Sequence, residues 1–220
     1  MRHRMSVELP KYWEYILEKR IHSRYGVLRR RLLVCCVWWW SAVLVFYGVA
    51  VRAHALAGSA HANYAMVAAA EVPALALNTL LLGRAGRRAT LAAALLLTAT
   101  SLTAMSLLPI SKGRWRLSLY LSGKVGATMT LNALYVYSAE VFPTRARHSL
   151  LAACSAAGRV GAVLAPLTPL LAVYGEWVPT AVFGALPVLS AALTPLVPDT
   201  LHARLPDSFA DLQRAPSTTV

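Results

Sequence analysis

Residues 32–50 read LLVCCVWWWSAVLVFYGVA, nineteen positions without a charged side chain. A helix rises about 1.5 Å per residue, so a run of this length nearly crosses a hydrocarbon core about 30 Å thick. Five further apolar windows follow, at 61–82, 89–110, 117–138, 150–173 and 178–197, and leave little chain for a soluble domain. Hydrophobic residues make up 57% of the 220 and charged ones 14%, against roughly one quarter charged in ordinary soluble domains. The predicted fold class is an all-α integral membrane protein. A six-helix bundle over 32–197 is flanked by a basic arm (1–31) and a tail (198–220).

The net charge of +13 does not point to a nucleic-acid binder, because the basic residues lie between apolar runs and not on a water-facing surface beside a soluble core. Their distribution predicts orientation instead. With the N-terminus in the cytosol, cytosolic segments hold sixteen Lys or Arg and the outer segments four (Arg52, Lys112, Arg114, Arg116), so both termini are expected inside. Nine Lys or Arg precede the first long apolar stretch, which is unlike a cleavable signal peptide, and the first span is expected to act as its own insertion signal. Within the arm, Trp13, Ile16, Leu17, Ile21 and Leu28 recur at helical spacing among Lys11, Lys19, Arg20 and Arg24, a pattern for an interfacial helix on anionic lipid or for an unstructured basic arm. The terminal Thr218, Thr219 and Val220 fit the short pattern that adds a strand to a PDZ groove. Cys35, Cys36 and Cys154 lack the spacing of a zinc site or a disulfide framework and are expected to be small buried hydrophobes.

Three ionisable residues fall inside spans: Glu71, Lys124 and Arg159. Facing lipid, each would cost about 2.5 to 3.5 kcal/mol, so they are expected to face protein or water. Counting from the span ends puts Glu71 and Arg159 about 14 to 15 Å deep, and Lys124 about 10 Å from the outer side. Carriers hold substrates near that depth. Glu71 lies in the second helix of the first three and Arg159 in the second of the last three, equivalent places in an inverted repeat. These three are the candidate substrate-binding residues; the structural alternative is a Glu71–Arg159 pair that locks the bundle. Gly123, Gly126, Gly158 and Gly161 suit close helix approach. No Walker-type loop, catalytic triad or His cluster with metal spacing appears, so neither ATP-driven transport, an enzyme, a metal nor a cofactor is expected.

LLLGRAGRR (80–88), GKVGATMTLNALYVYSAEVFPTRARHS (123–149), CSAAGRVGAVLAP (154–166) and VPDTLHARLPDS (197–208) resemble, in order and spacing, signatures of the organic cation, anion and carnitine transporters of the major facilitator superfamily. The resemblance runs from about residue 30 to about 212 and covers only the C-terminal half of a member, helices seven to twelve of twelve. It implies a three-plus-three inverted repeat and transport of a small organic ion by a secondary or facilitative carrier in the plasma membrane. An N-terminal-half partner or a homodimer would complete the unit. The alternative expectation is a truncated membrane protein that regulates or scaffolds a full-length relative. By the same resemblance Arg84, Gly86, Arg87 and Arg88 match a gating loop, with Gly83 where an acidic residue is expected. Glu140, Pro143, Thr144 and Arg145 match its counterpart. Arg159 lies where cation-carrying members often have Asp and anion or carnitine members a basic residue, which favours an anion or zwitterion.

Overall fold

The computed structural model describes residues 26–55, 59–109, 113–144, 146–175 and 177–200, and among them every regular element is helical. Six rods result, one for each predicted span. α1 (Gly26–Val51) ends in a 3₁₀ turn, Arg52–Ala55; α2 (Ala60–Ala69) and α3 (Glu71–Arg84) share the second rod; α4 (Arg87–Leu107) and α5 (Gly113–Val141) follow. α6 (Arg147–Leu164) is prolonged by a 3₁₀ stretch, Ala165–Tyr174, and α7 (Val178–Ala192) by a 3₁₀ turn, Thr194–Leu196. Most of the basic arm, the terminal Thr-Thr-Val and Arg145 lie outside the described residues.

Proline chemistry explains both interruptions. Pro73 has no N–H, and its ring collides with the carbonyl four residues back, that of Ala69. The second rod accordingly breaks at Ala70 and restarts at Glu71. Pro166 and Pro169 stand three apart, which spoils the four-residue hydrogen-bond repeat but leaves the three-residue one usable, and the chain from Ala165 is 3₁₀ for ten residues.

Five of the rods are long and apolar enough to cross a membrane. α5 departs from this in composition, not in length, since its 29 residues reach about 43 Å. It packs on α4, α1 and α3, and a helix whose flanks are taken by other helices has less need of an apolar coat. Lys124, Thr128, Thr130 and Ser138 are therefore among its buried residues. The faces left over lie elsewhere: Tyr64, Val72, Leu75 and Leu80 of the second rod and Val160 and Val163 of α6 are exposed.

The two larger of three buried apolar clusters hold most of the rods. Toward the end that carries Arg84, Arg87 and Arg88, here the Arg-rich end, Trp38, Trp39, Leu134, Tyr137, Phe142 and Cys154 pack together. Toward the opposite end the core is Leu44, Val49, Leu102, Tyr120 and Phe183. The indoles find acceptors: Trp38 Nε1 donates to the Ser190 carbonyl at 2.7 Å and Trp39 Nε1 to Ser138 Oγ at 2.9 Å. Tyr120 donates to the Val49 carbonyl. These bonds tie α1 to α5 and α7 where apolar packing alone would leave rotation free.

Antiparallel α4 and α5 make one of the closest contacts. A Cβ placed on Gly126 would stand 2.5 Å from Thr98 Oγ1 and 2.8 Å from the Thr98 backbone nitrogen, so helix backbone itself blocks a larger residue. A Cβ placed on Gly83 would meet no neighbouring atom within 4 Å. Gly126→Ala is expected to destabilise the bundle by about 1 to 3 kcal/mol through overpacking. Gly83→Ala, which only improves helix propensity, should be neutral or stabilising by up to about 1 kcal/mol. Thermal unfolding of the two variants in the same mild detergent checks this: equal melting temperatures would contradict the packing.

Candidate functional site

Lys124 is buried in the middle of the bundle, on α5 between Tyr120 and Ala127 of the second core. Its side chain is 1% exposed, and three elements meet it: α5 carries it, α3 presents Glu71 Oε1 at 2.8 Å from Nζ, and α1 lays the Phe46 ring 3.4 Å from Nζ. A bare ammonium in an apolar interior is costly, so its neutralisation by a carboxylate and the negative face of a ring is what lets the fold keep it. The break at Ala70 matters here because it makes Glu71 a first-turn residue of α3. The unpaired N–H groups of a helix start favour an anion there. Glu71 retains 39% exposure, so the pair is covered on the lysine side and open on the glutamate side.

The structural alternative, a locking Glu71–Arg159 pair, is corrected by this geometry. Glu71 is taken by Lys124, while Arg159 is exposed on α6 and makes no ion pair among the described residues. Equal depth along two helices does not fix the direction in which each side chain leaves its axis. Phe46 was not singled out from sequence, since an aromatic within an apolar run gives no signal of what lies across from it.

A second cluster joins the motif residues at the Arg-rich end. Gly86 starts α4 with φ of 90°, a left-handed conformation that favours glycine, and so lets the chain turn from α3 into α4 within two residues. Arg87 then reaches Glu140 at the end of α5 with Nε and Nη2, at 2.9 to 3.1 Å, in a forked geometry. Thr200 Oγ1 donates to Glu140 Oε2 at 2.6 Å, and Asp199 accepts from the Arg88 backbone N–H at 3.4 Å. Arg30 of α1 donates to the Leu196 carbonyl at 2.7 Å and Tyr137 to that of Pro198 at 2.9 Å. The stretch after α7 is thus fastened to three helices. Pro143 is buried, Thr144 is exposed, and Arg147 Nη2 donates to the Phe142 carbonyl at 3.4 Å. Arg84 is exposed and makes no ion pair among the described residues. Although Gly83 replaces the acidic residue expected beside it, the Arg87–Glu140 pair forms.

No family model matches the chain. Solute carrier family 22 member 12 of Homo sapiens is 37% identical over 76% of this chain and 30% of its own length. Organic cation/carnitine transporter 2 of Rattus norvegicus is 34% identical over 77% of this chain and 30% of its own, and an organic cation transporter protein of Drosophila melanogaster 32% identical over 86% and 34%. The chain therefore spans about a third of the length of the curated relatives it matches. Its fold matches the inward-open xylose transporter XylE from E. coli with a TM-score of 0.62, at 16% identity, over 83% of this chain and 51% of that one.

If Lys124 is held by its partners in this way, removing either residue alone has unequal consequences. Glu71→Ala leaves a buried cation unpaired and is expected to cost on the order of 1 to 3 kcal/mol, below the 3 to 5 typical of a fully buried pair because Glu71 is partly exposed. Lys124→Met fills the same space without a charge and should lie within about 1 kcal/mol of the parent, or above it. The double substitution should recover most of the Glu71→Ala loss, as read by unfolding in detergent.

Proposed function

We propose, from the premise that this chain belongs to the organic cation, anion and carnitine transporter family of the major facilitator superfamily, that it forms one half of a carrier for small organic ions. The observation that carries this is the buried ammonium of Lys124 with its half-exposed counter-ion. A substrate carboxylate that replaces Glu71 at Lys124 would exchange one ion pair for another with little change in burial, which is what a reversible binding site requires. Arg159, exposed on the neighbouring α6 and charged at a depth where lipid would penalise it, supplies a second cationic contact. The two cations favour an anionic or zwitterionic substrate of carnitine-like size over a cation.

Alternating access needs two bodies that rock against each other. The exposed faces of the second rod and of α6 suit closure against a second six-helix body, either an N-terminal half or another copy. The Arg87–Glu140 pair, with Thr200 and Asp199, acts as the fastening that opens and closes at the cytosolic side. Lys and Arg asymmetry supports cytosolic termini, and family alone suggests the plasma membrane as host. The terminal Thr-Thr-Val would then be offered to a cytosolic PDZ domain.

Uptake of labelled organic anions and cations into proteoliposomes, with the chain paired to an N-terminal half, tests the proposal. Lys124→Met is expected to cut anion uptake at least tenfold while leaving the protein folded, and Arg159→Asp to shift preference toward cations. Unchanged rate and charge preference in both variants would remove the binding role and leave Lys124 as a packing residue.

A further inference from the structure

The three cysteines of the chain, expected from sequence to be small buried hydrophobes, converge. α1 and α6 run parallel, with Gly158 against Trp39 and Gly161 against Trp40 and Leu44. A Cβ on Gly161 would stand 2.4 Å from the Trp40 carbonyl oxygen, so the two backbones touch. One helical turn earlier on each, the same register sets Cys154 beside Cys35 and Cys36. Burial agrees: Cys35 and Cys154 are both 0% exposed in one core, and Cys36, half-buried, packs against it. The Cys154 side chain interacts with the thiols of both.

Among the described residues no group of three His, Cys, Asp or Glu side chains is placed to hold a metal ion, so the chemistry open to the cluster is that of a thiol pair. Cys35 and Cys36 are neighbours on a continuous helix and diverge by about 100°. Cys154 is the partner common to both. A disulfide needs Cα atoms about 4.4 to 6.8 Å apart, and the close approach of the two helices at Gly158 and Gly161 favours such a separation one turn away.

We propose that this cluster is an oxidative modification site at which Cys36 and Cys154 form a disulfide between α1 and α6. The oxidant is a small neutral peroxide. Burial makes these thiols slow nucleophiles, which disfavours charged oxidants and makes the half-buried Cys36 the point of entry. Cys36 is oxidised to a sulfenic acid while hydrogen peroxide is reduced to water. The Cys154 sulfur then attacks the sulfenic sulfur, the S–O bond breaks as the S–S bond forms, and a second water leaves. Two electrons pass from the thiols to the peroxide, and Cys35 stays a thiol. The product fastens α1 to α6, the helix that carries Arg159. Transport plays no part in this inference.

The purified full chain in mild detergent is treated with hydrogen peroxide, denatured and labelled with a maleimide that adds mass. Of the three cysteines, three are expected to label before treatment and one after, with three again after dithiothreitol, and the oxidised sample should melt higher. Peptide mass spectrometry should find residues 36 and 154 joined. Cys36→Ala and Cys154→Ala should each keep both remaining thiols under peroxide, whereas Cys35→Ala should lose both. Three labels after peroxide, a loss that dithiothreitol does not reverse, or a reversible loss that persists in Cys154→Ala would each overturn the proposal. Because the parent chain alone gives the first readout, a variant that fails to fold does not decide the result.

Discussion

A single buried cation organises the middle of this bundle. Lys124 cannot reach water, so its charge must be met by groups from other helices, and the requirement fixes how α1, α3 and α5 are rotated about their axes. Apolar packing is nearly indifferent to such rotation. An ammonium beneath a ring and beside a carboxylate is not. The break caused by Pro73 belongs to the same constraint, because only an interrupted rod offers a helix start for Glu71 at this depth.

The Arg-rich end obeys a different rule. Its Arg87–Glu140 pair is a quarter exposed or less, and is joined by forked hydrogen bonds and not by enclosure alone. Water competes for such groups, so the fastening is strong in direction and modest in energy. Glu140 takes donors from Arg87 and Thr200 together, which binds the start of α4, the end of α5 and the chain after α7 at one carboxylate. A joint of this kind holds one arrangement firmly and still lets go when one donor is drawn away.

Much of the architecture was legible beforehand. Apolar runs are long because the hydrocarbon core is thick, so all six rods could be placed from composition, and every end but the start of α1, six residues earlier than expected, came out within five residues. Motif spacing singled out Arg87 and Glu140, which meet at the start of α4 and the end of α5. What could not be read was azimuth. Depth counting put Glu71 level with Arg159, yet the lysine stem bridges several ångströms and claims Glu71 instead. Pro73 was ambiguous for a related reason, since a proline in a membrane helix kinks, breaks or is absorbed according to its neighbours. Thr200 and Asp199 lay in a tail without periodicity, and the three thiols were 119 positions apart at their extremes, a distance over which local pattern carries nothing.

The fifth rod stretches farther than its residue count suggests. Eighteen α-helical residues rise about 27 Å and the ten 3₁₀ residues beyond them about 20 Å, together far more than the ~30 Å of hydrocarbon. Such a rod must lean or protrude. Tyr174 and Trp177, both strongly exposed, cap its far end with the kind of side chain that prefers the headgroup layer. The spacing of Pro166 and Pro169 thus sets how far the rod reaches.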